Sequence, residues 1–209
     1  MKRIGLTRKE RERLQRKKLI LDSALELFSE KGYHNVSIQE IAQKAEFAVG
    51  TLYKFFKNKE ELYSTILREK TDEHMQILSS ILLKKADVMT ILKEHIEASA
   101  KFIAENFTMV RIYLLEIRGL SFNWKSGFDQ EIIEFKRKIS ELLSRVLQRG
   151  IKEGLFRSFE SDVMVLHLHG VFDAFLFDWI DHPEKYPNNL DTQLIIDLVS
   201  KGILKNEKD

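Results

Sequence analysis

Val36-Ser-Ile-Gln-Glu-Ile-Ala-Gln-Lys-Ala-Glu-Phe-Ala-Val-Gly-Thr-Leu-Tyr-Lys-Phe-Phe-Lys-Asn-Lys-Glu-Glu-Leu62 carries the clearest structural signal in the chain. Ser37 stands three residues before Glu40, the spacing at which a hydroxyl and a carboxylate each satisfy a free backbone N–H at a helix start. Ile38, Ile41, Ala42 and Ala45 then share one face of a short helix. A break at Glu46-Phe47-Ala48 precedes a second segment, Val49 to Phe56, whose Leu52 and Phe56 are one turn apart and can pack back onto the first. Asn58 with Glu61 repeats the cap signature and starts a third helix. Two short helices joined by a tight turn make a helix-turn-helix.

The string Gly50-Thr51-Leu52-Tyr53-Lys54-Phe55-Phe56-Lys57-Asn58-Lys59-Glu60-Glu61-Leu62 closely resembles the signature G-T-[LI]-Y-x-[YHF]-F-x-[SN]-K-E-x-L of the TetR family of transcriptional regulators. Ala24-Leu25-Glu26-Leu27-Phe28 with Lys31-Gly32-Tyr33 is similar to that family's A-x-x-L-F-x-x-x-G-[YF]. The resemblance implies that the second motif helix enters a DNA major groove. It assigns base-edge and phosphate contacts to Val49, Gly50, Thr51, Tyr53 and Lys54. The chemistry agrees: Gly50 lets backbone approach a duplex, Thr51 offers a hydroxyl and a methyl, and Lys54 can reach a guanine or a phosphate. Lys59, at a helix start, is expected to clamp a phosphate, and Ser37 to cap its helix and touch another. Gln39 reads either as an adenine contact or as solvated surface. Two positions depart from the family: Glu46 replaces the usual turn Gly, and Ala48 the usual capping Ser or Thr. Positive φ at Glu46 would cost roughly 1 kcal/mol, and the missing cap about 1 kcal/mol.

A net charge of +2 over 209 residues conceals an uneven distribution. Residues 1–59 carry 14 Lys plus Arg against 7 Asp plus Glu, giving +7, while residues 60–209 carry −5. The basic part suits a polyanion, whose condensed counterions Lys and Arg displace. Lys2, Arg3, Arg8, Lys9, Arg11, Arg13, Arg16, Lys17 and Lys18 crowd the first eighteen residues. That run reads as a flexible arm tracking phosphates or entering the minor groove, as a solvated helix extension, or as a membrane-surface segment, though it lacks the apolar face the last requires.

The chain has no cysteine, which excludes disulfides and thiolate metal sites. It lacks a signal-peptide core and an uninterrupted apolar run of about 18 residues, so a cytoplasmic protein without a transmembrane helix is expected. Two prolines among abundant Leu, Ile, Lys and Glu favour an all-α fold of about nine helices. The expected division is a three-helix head with its basic arm, residues 1–58, and a helical effector-binding and dimerisation body, residues 59–209. Helices are expected over 19–30, 59–84, 87–105, 107–120, 129–152, 161–181 and 190–204, with a loop at 121–127.

The helices near the end of the chain show broad apolar faces. Val163, Leu166, Gly170, Ala174 and Phe177 lie on one, and Leu194 and Leu198 on the other. The family resemblance implies that this pair packs against its copy in a homodimer, consistent with half-site recognition by two heads. Ten of the fourteen Phe lie after residue 100, so a pocket for a small hydrophobic effector would be aromatic. Its candidate lining is His95, Phe102, Arg111, Tyr113, Arg118, Phe122, Trp124, His169 and Phe172. Arg111 and Arg118 are seven apart and can receive an anionic group; His169 and Asp173 are one turn apart but find no third metal ligand at helical spacing. No cofactor is expected. The glycine-rich, P-loop, G-x-S-x-G and H-E-x-x-H motifs are absent. The resulting reading is a repressor that leaves a pseudo-palindromic DNA operator when its effector binds, and not an enzyme. Its rivals are a helical ligand-binding protein or enzyme with a vestigial head, and an architectural DNA binder.

Overall fold

The computed structural model describes residues 7–118, 127–186 and 190–204. In chain order the helices are α1 (Arg8–Lys31), α2 (Ile38–Lys44), α3 (Val49–Leu52), α4 (Lys59–Leu82), α5 (Val88–Glu105), α6 (Phe107–Arg118), α7 (Gly127–Lys152), α8 (Ser161–Asp181) and α9 (Thr192–Ile203). Among the described residues the only extended pairing is the isolated bridge Phe156–Leu204, so the fold is all-α as expected. The chain separates into two compact units, one drawn from Met1–Lys70 and Thr108–Trp124, the other from Thr71–Phe107 and Lys125–Asp209.

In the first unit, residues 8–18 follow the solvated helix extension rather than the flexible arm. They form the first half of α1, because Thr7 caps the helix: its hydroxyl accepts the Glu10 N–H at 3.3 Å and the Glu10 carboxylate accepts the Thr7 N–H at 2.8 Å. The T-x-x-E signature was in the sequence, hidden among the cations. Ser37 and Glu40 form the expected capping box on α2. The core of this unit is Ile20, Ala24, Leu27 and Phe28 of α1 against Ile41, Leu52, Phe56, Leu62 and Tyr63. An aromatic trio closes it, with ring centroids 5.1 Å apart for Phe28–Tyr33 and 5.3 Å for Tyr33–Tyr63. The Tyr63 hydroxyl donates to the Met109 carbonyl of α6 at 2.7 Å, which satisfies a buried polar group.

The segment after the turn is shorter than the expected Val49–Phe56. Regular helix ends at Leu52, and the N–H groups of Phe55 and Phe56 both reach the Leu52 carbonyl at 2.9 Å, winding the chain inward so that Phe56 is buried. Glu46 has φ 59°, the sole positive-φ non-glycine among the described residues, and Ala48 has no side-chain cap bond. The turn therefore keeps its shape despite both unfavourable residues. Each buried Leu, Ile or Phe contributes about 1.5–3 kcal/mol, and Ile41, Leu52 and Phe56 together outweigh the strain.

In the second unit, Asp87 caps α5 through the Thr90 N–H at 2.8 Å. Arg149 of α7 donates to the Ala86 carbonyl at 2.7 Å. Gly150 lies under the Phe156 ring, where an added Cβ would stand 2.3 Å from a ring carbon; only glycine lets the chain turn back there with its aromatic ring packed on α7. From Phe156 the chain runs beside the end of α9, the Arg157 N–H meeting the Ile203 carbonyl at 2.9 Å. On α4 His74 is buried in line with Leu78 and Leu82, while the neighbouring Met75 is half-buried.

α8 is apolar on two sides. Met164, Val165, Leu168, Leu176, Trp179 and Ile180 are buried, whereas Val163, Leu166, Gly170 and Ala174 are exposed, Leu166 to 71%. By length and composition α8 also meets the criterion for crossing a membrane, with mean hydropathy 1.4 over its best window. Its apolar run is interrupted by His167, His169 and Asp173. Its packing against α7 and α9 identifies it as a helix of the second unit.

Replacing Glu46 by Gly should stabilise the protein by about 1 kcal/mol by removing the positive-φ penalty. The measurement is the urea midpoint of Glu46→Gly; an unchanged or lower midpoint would show that the turn carries no such strain.

Candidate nucleic-acid interface and effector region

The helix-turn-helix presents a mixed face to solvent. Gln39, Gly50, Tyr53 and Lys54 are exposed, Tyr53 to 53%, and Val49 and Thr51 are half-buried. Leu52, immediately between them, is 1% exposed, so α3 turns one side to the core and leaves the other open. A Cβ added at Gly50 would meet nothing within 4 Å. Glycine is thus not required there by internal packing, although it costs a helix about 1 kcal/mol relative to Ala. The backbone at Gly50 is therefore open to solvent.

Ser37 is exposed, but its hydroxyl is engaged with Glu40, donating at 2.9 Å to the carboxylate. Lys31 beside the Glu40 carboxylate, together with the N–H and hydroxyl of Ser37, holds that carboxyl down at about 2. Lys59 is placed differently from the expected phosphate clamp. Its ammonium donates to the carbonyls of Tyr33 at 2.8 Å and Val36 at 2.9 Å, and sits 4.4 Å from the Tyr33 ring centroid. It ties the start of α4 to the loop between α1 and α2, leaving at most one ammonium hydrogen for a phosphate.

The candidate effector residues fall into separate places. Arg111 is exposed and Tyr113 half-buried on α6 of the first unit. The side chain of Arg118, and Phe122 and Trp124, lie outside the described residues. The second unit holds His95, Phe102, His169 and Phe172, the first buried and the others half-buried. His74 joins them, stacked on Phe102 with centroids 4.0 Å apart and planes 10° from parallel, and 6.0 Å from Phe135. Sequence reading missed His74, although it lies one turn before the buried Leu78 on the same face of α4. His169 also lines an open groove of about 620 Å³ between α7 and α8, with Arg145, Ser144 and Asp162. Among the described residues no group of three or more His, Asp or Glu could hold a metal ion.

Burial drives the His74 imidazole down to about 4 and His95 to about 3, the latter also disfavoured by His169 and then His74. Burial lowers His169 as well, opposed by the neighbouring Asp173. The Nδ1 atoms of His74 and His95 are buried without a hydrogen-bond partner. Both rings are neutral at pH 7, whereas the unfolded chain takes up protons near pH 6.5. Stability is therefore full above about pH 6.5 and falls as the pH drops toward 4. Urea midpoints at pH 7 and pH 5 should show this loss, and His74→Phe/His95→Leu should reduce it; an equal loss in both proteins would exclude these histidines as its source.

The family model described as bacterial regulatory proteins, tetR family, matches residues 20–66. The fatty acid metabolism regulator protein of Bacillus subtilis is 26% identical over 187 residues, 88% of this chain and 93% of that protein. The transcriptional repressor KstR2 of Rhodococcus jostii is 30% identical over 139 residues, 66% of this chain and 67% of its own. Among solved structures, FadR of Bacillus subtilis in complex with stearoyl-CoA superposes with a TM-score of 0.71 at 24% identity, covering 88% of this chain and 98% of that one. With the helix-turn-helix lying inside the matched residues and the likeness extending along most of the chain, the protein belongs to the TetR family of bacterial regulatory proteins.

Proposed function

We propose that the protein is a cytoplasmic, homodimeric transcriptional repressor that binds a pseudo-palindromic DNA operator and leaves it when a small hydrophobic effector enters the body. In this reading residues 1–58 carry DNA contact, and residues 59–209 carry effector binding and dimerisation. The observation that carries it is the open side of α3 and the two residues after it, where Thr51, Tyr53 and Lys54 flank Gly50, a glycine that packing does not need. Tyr53 and Lys54 offer a hydroxyl and an ammonium to phosphates, and Thr51 a methyl and hydroxyl to a base edge.

The exposed side of α8 and α9 supports the dimer. Leu194 and Leu198 on α9 are 45% and 44% exposed and join Val163 and Leu166 on α8 as solvent-facing apolar residues. Gly170 leaves open space where a Cβ would stand, so a second helix can approach there. Phe177 is half-buried on the same stretch. The apolar effector draws support from the aromatic surroundings of His74 and from the relatives named as a fatty acid metabolism regulator and as a stearoyl-CoA complex. Effector binding would act by favouring a state in which the two heads no longer match the half-site spacing, through the difference in its affinity for the two states.

Gly50→Ala should raise stability by about 0.5–1 kcal/mol and yet weaken binding to a duplex selected by the protein from a randomised pool. Titration of that duplex against random duplex at physiological salt is the measurement. Equal affinity for the two duplexes would sink the repressor reading, and tight operator binding by Gly50→Ala would sink the role of Gly50. A separate prediction concerns assembly. Leu166→Asp with Leu198→Asp should convert a dimer to monomer in sedimentation equilibrium; a dimer that persists would place the interface elsewhere.

A further inference from the structure

The first three turns of α1 bury almost nothing. From Arg8 to Leu19 every side chain is exposed except the half-buried Lys17. Residues 8–18 hold seven cations and two acids, and both acids are engaged, Glu10 in the Thr7 cap and Glu12 with Arg8 at 2.8 Å. Such a helix gains little from packing and suffers repulsion between like charges, yet its capped start keeps it ordered.

The cations are not evenly spread around it. Lys9, Arg13 and Arg16 continue at steps of four and three into Ile20, Ala24 and Leu27, the stripe by which α1 buries itself in the first unit. The stripe is apolar from Ile20 onward and cationic before it. Where it emerges, the Arg13 guanidinium lies over the Phe55 ring, 5.8 Å from its centroid, and Phe55 directly follows Lys54. Lys17, on the same side, pairs with Glu69 at 2.7 Å. Among the described residues no acidic partner is found for Lys9 or Arg16. Arg11 and Lys18 lie on the opposite side of the helix.

We propose that Lys9, Arg13 and Arg16 form a rigid rail that holds the phosphate backbone of the duplex flanking the bases met by α3. The inference rests on the DNA-binding reading above and adds to it a second, sequence-independent contact. Lys9 to Arg16 spans about 10 Å of helix axis, the rise of roughly three nucleotides along one strand. Charge complementarity selects a polyanion, and Arg13 on Phe55 places the rail beside the segment that meets the groove. A lipid surface fits less well, because the exposed Leu14 and Leu19 lie off this stripe and form no apolar face with it.

The test uses the full chain and the selected duplex, with affinity followed as a function of salt. Lys9→Gln/Arg16→Gln should lower the slope of log K against log salt by about 0.9 for each phosphate no longer neutralised, while leaving the preference for selected over random duplex unchanged. Arg11→Gln/Lys18→Gln, on the other side of the helix, should leave the slope near that of the unaltered protein. An equal fall in slope for both pairs would reduce the rail to a diffuse field, and no fall in either would remove it; both results overturn the proposal. So would a Lys9→Gln/Arg16→Gln protein that keeps its DNA slope but no longer binds phosphatidylglycerol vesicles. If the unaltered protein showed no preference for the selected duplex, the repressor reading itself would fail, a result separate from those of the two variants.

Discussion

One lysine fixes the geometry on which the first unit depends. Lys59 begins α4, and its ammonium holds two carbonyls of the connection between α1 and α2, against the face of Tyr33. Hydrogen bonds to a charged group are worth about 1.5–3 kcal/mol, more than the helix-turn-helix loses at its turn. Between these two anchored ends lie α2 and α3, which are too short to be stable alone. Tyr63, one turn further along α4, extends the clamp through Phe28 and through the Met109 carbonyl. The open side of α3 is therefore carried by a frame whose rigidity comes from elsewhere.

That dependence accounts for the poor local chemistry at the turn. Glu46 adopts positive φ and Ala48 caps nothing, so the motif is locally unfavourable at two neighbouring positions. Neither loss approaches what burying Ile41, Leu52 and Phe56 returns. A short recognition segment with a glycine at its exposed edge is an acceptable cost when packing on α1 and α4 supplies the stability. At the start of α1 the relation is reversed, and good local capping sustains a stretch that packing does not.

In the second unit, polar groups stand where apolar ones would be cheaper. His74 and His95 are buried, neutral and short of one partner each, a cost that an all-hydrocarbon core would avoid. The stacked Phe102 offsets part of it for His74. α8 carries the opposite tension, apolar residues left in water along one whole side. Patches of that kind mark surfaces that meet something, and α9 also exposes apolar residues, Leu194 and Leu198.

The helical class, the caps at Ser37 and Asn58, the helix-turn-helix and the inward roles of Leu52 and Phe56 were all legible in the amino-acid order, because each follows from neighbours within a turn or two. The strain at Glu46 was legible for the same reason. Thr7 with Glu10 was equally local, and it is the signal that separates a helix extension from a flexible arm in the basic run. Where Lys59 points could come from the packed chain alone, since its partners lie 23 and 26 residues away. Packing also chose His74 for the core position on α4, and chose which side of α8 faces the protein. Periodicity marks a face as apolar, but a helix that is apolar all round does not say which face its own chain will cover. Arg111 shows the converse limit: its spacing to Arg118 suggested a site, and only the packed fold placed its side chain in solvent, on a different unit from His95 and His169.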